Sequence, residues 1–178
     1  MKDFFDKTEV FNVLHGFNPW WAGKEFSNQE FRRLAFDACR SYLEDKTFKR
    51  AILLSGPRRV GKTTILLQIA KALILSGHNP KSIFYVSLDH LLLKLFSMRK
   101  ILALYSESIH PQGREAFLLF DEVQYAKGWE TEIKLLIDHQ PNYHILATGS
   151  ASVVHRERLA ESGVGRWITV PIPTLSFF

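Results

Sequence analysis

The sequence predicts an α/β fold with three layers, in which helices cover both faces of a parallel β-sheet. Two apolar runs, at 51–54 and 117–120, are continuous rather than alternating, which is typical of strands buried on both faces of such a sheet. From residue 51 onward, strand-like and helix-like segments alternate along the chain. We predict strands at 51–55, 83–88, 116–121, 143–148 and 167–172, and helices at 62–75, about 91–106, 129–139 and 151–161.

The segment before residue 51 is different in character. Residues 1 to about 26 are rich in aromatic side chains, and we expect them to be irregular, with a turn at Asn18-Pro19. The run from Ser27 to Glu30 reads as a capping box. It predicts a helix whose apolar positions keep a spacing of about 3.6 residues: Phe31, Leu34, Ala35, Ala38 and Leu43. We therefore expect residues 1–50 to form an N-terminal aromatic segment and helix packed on the core, with the main domain at 51–178.

Composition sets limits on the class of protein. The 178 residues are 46% hydrophobic, carry a net charge of +5, and contain no uninterrupted apolar stretch long enough to predict a membrane span. The N-terminus mixes acidic and basic residues and lacks the hydrophobic core of a signal peptide. Cys39 is the single cysteine, which excludes an internal disulfide, and its helical context predicts a small buried apolar side chain. These observations favour a reducing, cytoplasmic location without membrane association.

The most specific signal follows the strand predicted at 51–55. The segment beginning at Gly56 fits the P-loop pattern G-x-x-x-x-G-K-[ST] at every fixed position, between a strand and a helix. Backbone N–H groups and the helix dipole bind a triphosphate in such loops, and Lys62 is expected to reach the β- and γ-phosphates. The residues predicted to bind the nucleotide are Gly56, Pro57, Arg58, Arg59, Val60, Gly61, Lys62, Thr63 and Thr64.

A pair of acidic residues supplies the second half of the predicted site. Asp121 and Glu122 follow the apolar run at 117–120, as in a Walker B motif, at the carboxyl end of a predicted parallel strand. We expect Asp121 to hold Mg²⁺ together with the Thr63 hydroxyl, and Glu122 to act as the general base for the attacking water. An acidic pair that only ends a strand and caps a turn is the structural alternative.

Two further parts of the chain are weaker candidates. The strand predicted at 143–148 ends in hydroxyl residues, of which Thr148 is the first choice, and Ser150 the second, for sensing the γ-phosphate and orienting the water. A turn or helix cap is the alternative for Ser150. Trp20 or Trp21 could stack on the base of the nucleotide, but we favour a role at the edge of the core, behind the strand that precedes the P-loop.

An ordered set of motifs resembles one known family. The set comprises Gly-Pro-Arg-Arg-Val-Gly-Lys-Thr-Thr at 56–64, Ser-Leu-Asp at 87–89, Leu-Phe-Asp-Glu-Val-Gln-Tyr at 119–125, Ala-Thr-Gly-Ser-Ala-Ser at 147–152 and Gly-Arg at 165–166. It is similar to prokaryotic AAA-type ATPases in which a P-loop domain usually precedes a C-terminal domain of unknown function. The resemblance covers about residues 50–178.

The resemblance carries expectations of its own. It implies a five-stranded parallel sheet of order 5-1-4-3-2, ATP as the nucleotide and Mg²⁺ as the metal. Arg166 matches a family arginine that contacts the γ-phosphate from the same or a neighbouring subunit. Family members usually continue well beyond the segment at 173–178, so we expect this chain to lack the helical lid and the C-terminal domain. A homo-oligomer or a protein partner would then form through that missing region.

Three functions remain open on the sequence alone. The first is an ATPase that hydrolyses MgATP to drive a conformational change. The second is a switch or scaffold that binds ATP, turns over slowly and acts through a partner. The third is a DNA-remodelling module, which the net charge of +5 motivates, although the basic residues are spread along the chain. A GTPase is disfavoured because no Asn-Lys-x-Asp motif is present, and Glu122 suits water activation better than a kinase reaction.

Overall fold

The computed structural model describes residues 7–27, 29–150 and 165–174. Five helices and five strands are described in these ranges, with short 3₁₀ turns between some of them. The helices are α1 (Lys7–Phe17), α2 (Leu34–Glu44), α3 (Lys62–Leu75), α4 (Met98–Ser108) and α5 (Trp129–His139). The strands are β1 (Ala51–Ser55), β2 (Ile83–Ser87), β3 (Ala116–Asp121), β4 (Tyr143–Gly149) and β5 (Trp167–Pro171).

The five strands form one parallel sheet in the order β2-β3-β4-β1-β5. This is the predicted order 5-1-4-3-2 counted from the other edge, so the expected fold is confirmed. Strand β4 lies between β3 and β1, with Thr148 opposite Leu54 and Ala147 opposite Phe120. The carboxyl ends of β1, β3 and β4 therefore lie side by side at the same end of the sheet.

Helices cover both faces of the sheet. Helix α3 connects β1 to β2 and packs on α2, whereas α4 and α5 connect the strands in the reverse direction and pack on each other. Right-handed crossovers place helices of opposite direction on opposite faces, which produces the three layers. Every residue of β1 and β3 is buried, as the continuous apolar runs predict. Among the described residues, no helix is long and apolar enough to span a bilayer.

The first element corrects an expectation. Residues 7–17 form helix α1 rather than an irregular segment. Its buried positions Val10 and Leu14, flanked by Val13 and Phe17, have the i, i+3, i+4, i+7 spacing of a helix that buries one face. The aromatic composition of the segment concealed this spacing, and α1 packs against β2.

The prediction that a capping box at Ser27 begins the second helix is also wrong. Helix α2 begins at Leu34, after Arg33 as an N-cap without a side-chain hydrogen bond, and not after Ser27. Phe31 and Leu34, which the predicted apolar stripe included, are 73% and 90% exposed. The buried face of α2 is Phe36, Cys39 and Leu43. Burial raises the pKa of the Cys39 thiol to about 12, so this cysteine is the inert core residue that was expected.

The remaining helices agree closely with the sequence, with one displaced start. Helix α3 has the predicted bounds, and α5 does as well. Helix α4 begins at Met98 rather than near residue 91, because Phe96 is extended and the Ser97 side chain caps the helix at the Lys100 N–H. The helix predicted at 151–161 lies outside the described residues.

Side chains of the N-terminal segment cover β2, which is an edge strand of the sheet. The Asn18 amide donates to the Tyr85 carbonyl at 2.8 Å and accepts from the Tyr85 N–H at 2.7 Å, as a neighbouring strand would. The indole N–H groups of Trp20 and Trp21 both donate to the Ile83 carbonyl, at 3.0 and 2.9 Å. Both tryptophans are buried, so the core-edge role is correct, although they lie at β2 and not behind β1. This arrangement satisfies an edge that would otherwise expose unpaired backbone groups.

Asn18→Ala tests this edge cover. Removal of the amide leaves the buried N–H and C=O groups of Tyr85 without partners, and each such group costs about 1–3 kcal/mol. We expect the free energy of unfolding to fall by about 2–4 kcal/mol, measured by urea denaturation. Asn12→Ala, at an exposed position of α1, is the matched control and should leave stability within about 0.5 kcal/mol. Equal stabilities for the two variants would contradict the proposed cover.

Candidate active site

The loop between β1 and α3 has the backbone geometry of an anion cradle. Gly61, the N-cap of α3, has φ 92°, and Arg59 has φ 63°, so two residues of the loop are in the left-handed region. No side chain caps the N-terminus of α3, and its first turn contains no acidic residue. The N–H groups at the positive end of the helix dipole therefore face the loop, and no acidic side chain of the first turn competes for them.

Gly56 is required by the close approach of another segment. A Cβ at this position would lie 2.6 Å from the Ile172 carbonyl oxygen, too close for any side chain. The approach is fixed by a hydrogen bond of 2.7 Å from the Ile172 N–H to the Ser55 carbonyl. The residue that follows β5 is thereby held against the start of the loop.

Lys62 is buried inside the loop that it follows. Lys62 is the first residue of α3 and is 4% exposed. Its Nζ donates to the carbonyls of Gly56 at 2.9 Å and Pro57 at 2.7 Å. An ammonium has three donors, and these two bonds hold it across the concave side of the loop. The fixed lysine of the motif is thus close to the backbone that would surround a phosphate.

Asp121 lies at the centre of the site and accepts hydrogen bonds from three hydroxyls. Thr63 Oγ1 donates to Oδ2 at 2.6 Å, Tyr85 OH donates to Oδ2 at 3.2 Å, and Thr148 Oγ1 donates to Oδ1. The donors come from α3, β2 and β4, and Asp121 is 2% exposed. The fold therefore brings the predicted Thr63–Asp121 pair into direct contact.

Glu122 follows in an uncommon backbone conformation. It has φ 55° and ψ 51°, a left-handed geometry that costs a non-glycine residue free energy and is found disproportionately at functional sites. Its N–H donates to Thr148 Oγ1 at 2.9 Å, and its carboxylate accepts a hydrogen bond from the Gln124 side-chain amide. Gln124 Oε1 is the single buried side-chain oxygen or nitrogen without a partner within the described ranges. The sequence reasoning did not select Gln124.

Thr148 belongs to the site. It is fully buried, and its hydroxyl both donates to Asp121 and accepts from the Glu122 N–H. The single donor of the hydroxyl is thus committed to Asp121, and the contact with a γ-phosphate stays a prediction. In this structure the hydroxyl joins the two acidic residues. Ser150, the second choice, lies just beyond the end of β4 and is half-buried.

Arg166 is not brought to the site. It precedes β5, and its carbonyl accepts a 2.8 Å hydrogen bond from the N–H of Ala51, the first residue of β1. The P-loop follows the opposite end of β1. The guanidinium is paired with Asp138, with Nε at 3.0 Å from Oδ1, and this pairing lowers the pKa of the Asp138 carboxyl. A contact from Arg166 to a γ-phosphate of the same subunit is therefore wrong, since the length of the strand separates them.

Two arginines make side-chain hydrogen bonds at the loop, one from within it and one from outside. Arg58 donates to the Tyr125 hydroxyl at 2.9 Å. Arg33, which the sequence reasoning missed, donates to the carbonyls of Val60 at 2.6 Å and Pro173 at 3.0 Å. It borders a groove of about 420 Å³ between the start of α2 and the end of β5, lined by residues that include Phe31, Leu34, Pro171 and Ile172.

The residues at Asp121 fit a magnesium ion. The Asp121 carboxylate and the Thr63 hydroxyl, 2.6 Å apart, are hard oxygen donors of the kind that Mg²⁺ takes, and these two residues would hold the ion. Within residues 7–27, 29–150 and 165–174 there is no cluster of three or more His, Cys, Asp or Glu side chains able to hold a metal.

The parallel sheet, its strand order and the loop after β1 define a P-loop NTPase of the AAA type. The chain belongs to the AAA_14 family, described as an AAA domain, which matches residues 48–178. It thus contains a nucleotide-binding domain of the ATPase type.

Two curated relatives are similar to this chain. An uncharacterised protein of Methanocaldococcus jannaschii, MJ1637, is 36% identical over 136 residues, which are 73% of this chain and 28% of the relative. An uncharacterised protein of Haemophilus influenzae is 27% identical over 126 residues, or 70% of this chain and 31% of the relative. The chain therefore spans about three-tenths of the length of these relatives.

Solved structures support the fold. PCH-2 of C. elegans superimposes with a TM-score of 0.54 at 20% identity, covering 77% of this chain and 41% of that one. A DNA replication initiation factor gives a TM-score of 0.51 at 21% identity, covering 83% and 48%. At these identities the similarity extends to the fold alone.

Proposed function

We propose that the chain binds MgATP and hydrolyses it, so that hydrolysis drives a conformational change. The observation that carries the proposal is the contact between Thr63 and Asp121 beside the P-loop. A carboxylate that ends a strand and a hydroxyl in the first turn of α3 have no need to meet in a merely structural turn. Their contact supports a shared role as magnesium ligands beside the loop that would hold a triphosphate.

The loop would bind the phosphates through its backbone and Lys62. The N–H groups at the start of α3 supply partial positive charge, and Lys62 adds a full charge already oriented across the loop. Gly56 and Gly61 permit the close approach, and Thr64 adds a hydroxyl in the first turn of the helix.

Thr63 and Asp121 would hold the metal. When bound, Mg²⁺ neutralises charge on the β- and γ-phosphate oxygens. The hydroxyls of Tyr85 and Thr148 restrict the Asp121 carboxylate to one orientation before any ligand arrives.

Glu122 would accept the proton of the attacking water. The Thr148 hydroxyl fixes the Glu122 backbone, and the left-handed conformation turns the residue out of the line of β3. A carboxylate held in this way can act as the general base of a hydrolysis reaction.

The groove bordered by Arg33 suits the base of the nucleotide. It adjoins the P-loop through the Arg33–Val60 hydrogen bond, and apolar side chains such as Leu34 and Ile172 line it. Trp20 and Trp21, the other candidates for stacking, are occupied at the edge of β2. We therefore place the base beside residues 31–35 and 171–173.

A slow-turnover switch is the second candidate, and one contact favours it. The Gln124 amide donates to the Glu122 carboxylate, which reduces the capacity of that carboxylate to accept a proton. If the contact persists with nucleotide bound, the chain would hold ATP for long periods and act through a partner. Single-turnover hydrolysis compared with the rate of nucleotide release separates the two functions.

Several finer expectations stay predictions. They are the boundary at residues 50 and 51, the cytoplasmic location, a homo-oligomer or protein partner, the C-terminal domain of unknown function, and a contact from Arg166 to the nucleotide of a neighbouring subunit. DNA remodelling has no specific observation in its favour, because the similar replication factor shares only the fold.

Lys62→Ala should weaken nucleotide binding by about 100-fold or more. Charge-assisted contacts to phosphate contribute about 1.5–3 kcal/mol each, and the lysine is expected to make more than one. Titration with a fluorescent ATP analogue measures the change. Lys71→Ala, at an exposed position of the same helix, is the control and should bind as the unmodified chain does. A folded Lys62→Ala variant with undiminished affinity would remove the P-loop assignment.

Glu122→Gln should retain nucleotide binding and lose hydrolysis. The amide keeps the shape of the side chain but cannot accept the proton, so turnover should fall by about 10²–10⁴-fold. Phosphate release under saturating MgATP measures the rate, with Glu107→Gln on the exposed face of α4 as the control. Full turnover in Glu122→Gln would show that another group is the base.

A further inference from the structure

Tyr85 is a buried hydroxyl residue that contacts the proposed metal ligand. It lies in β2, is 5% exposed, and directs its OH to Asp121 Oδ2 at 3.2 Å. Oδ2 is also the oxygen that receives the Thr63 hydroxyl at 2.6 Å. Tyr85 belongs to no nucleotide-binding motif, and nothing in the pattern of β2 distinguishes it from the core residues beside it.

The hydroxyl of Tyr85 is a permanent donor. The phenol keeps its proton throughout the physiological range of pH, because the pKa of a tyrosine is ordinarily about 10. The contact is a hydrogen bond from a neutral donor to a carboxylate. Such a bond is stronger than one between two neutral groups.

The orientation of Tyr85 is set from outside the site. The Asn18 side chain binds both the N–H and the C=O of Tyr85, and the Phe17 ring packs edge-on against the Tyr85 ring at 5.8 Å between centroids. Both residues lie at the end of α1. The backbone and the ring of Tyr85 are thus both held by these contacts, which fixes the position of its hydroxyl.

We propose that Tyr85 is a positioning residue that holds the Asp121 carboxylate in the orientation required for metal binding, and that the end of α1 fixes Tyr85 for this role. The inference rests on the proposed function, since it assigns Tyr85 to the same metal site. Substitution of a residue that hydrogen-bonds to a metal ligand, without contacting the metal, commonly lowers metal affinity by about tenfold or more. Loss of the Tyr85 hydroxyl should therefore weaken the metal-dependent part of nucleotide binding and spare the metal-independent part.

Tyr85→Phe is the direct test, because the ring and its packing remain and only the hydroxyl is lost. The measurement is the affinity for a fluorescent ADP analogue as a function of Mg²⁺ concentration, with EDTA as the metal-free reference. We expect the Mg²⁺ concentration at half-maximal effect to rise by about tenfold. The affinity in EDTA should be unchanged, and no measurement of turnover is needed.

Tyr105→Phe is the matched control. Tyr105 is a second buried tyrosine whose OH donates to a backbone carbonyl, that of Lys81 at 2.7 Å, and whose ring packs on Phe84 of the same strand as Tyr85. It does not contact Asp121, so its loss should lower the melting temperature without altering the Mg²⁺ dependence. An equal shift in both variants would mean that Tyr85 acts only through stability and would overturn the inference.

A double-mutant cycle with Asp121→Asn completes the test. If Tyr85 acts through Asp121, Tyr85→Phe should have no further effect on Mg²⁺ dependence in the Asp121→Asn chain. An unchanged Mg²⁺ dependence in Tyr85→Phe, or an additive effect in the double variant, would overturn the positioning role while the proposed function stood. An unmodified chain without Mg²⁺-dependent nucleotide binding would overturn the proposed function and this inference with it.

Discussion

The buried carboxylate of Asp121 is the constraint on which the site depends. A carboxylate that is 2% exposed loses most of its hydration, and this loss is tolerable only if hydrogen bonds replace the water. The replacement comes from the hydroxyls of Thr63, Tyr85 and Thr148. These three residues lie on α3, β2 and β4, so one side chain joins the P-loop helix to two strands of the sheet.

The strand order makes this convergence possible. Because β4 lies between β3 and β1, Thr148 is placed between the acidic pair and the end of the strand that leads into the P-loop. Because β2 is the other neighbour of β3, Tyr85 can approach Asp121 from the opposite side. Strand β2 is an edge, and the side chains of Asn18, Trp20 and Trp21 keep its backbone paired. The segment that directly follows α1 therefore stabilises a strand that the site needs.

Much of the fold could be predicted because its signals are local. Continuous apolar runs mark β1 and β3, and the motif starting at Gly56 fixes the start of α3. The motifs also identified Thr63 and Asp121 correctly as neighbours. The strand order came from the family resemblance, since no local pattern encodes it.

The errors share a physical cause: each depends on contacts between distant parts of the chain. The residue before α2, Arg33, makes its hydrogen bonds to the distant carbonyls of Val60 and Pro173, which a local capping pattern at Ser27 does not reveal. The hydrogen bonds that join Thr148 to Asp121 and to the Glu122 N–H could likewise not be predicted from a local pattern. Arg166 has a partner in Asp138 that only the packed structure reveals. Tyr85 was missed because it lies in no motif. Gln124 lies inside the motif at 119–125, but only the packed structure reveals its hydrogen bond to the Glu122 carboxylate.

The central claim is that Asp121 and Thr63 form the protein side of a metal–nucleotide site. A crystal structure of the chain with Mn²⁺ and ADP tests it most directly, since manganese is located by its anomalous scattering. The account predicts one anomalous peak in contact with the Thr63 hydroxyl, on the side of the Asp121 carboxylate, with the phosphates against the loop from Gly56 to Thr64. A peak remote from Thr63 and Asp121, or phosphates bound outside that loop, would contradict it.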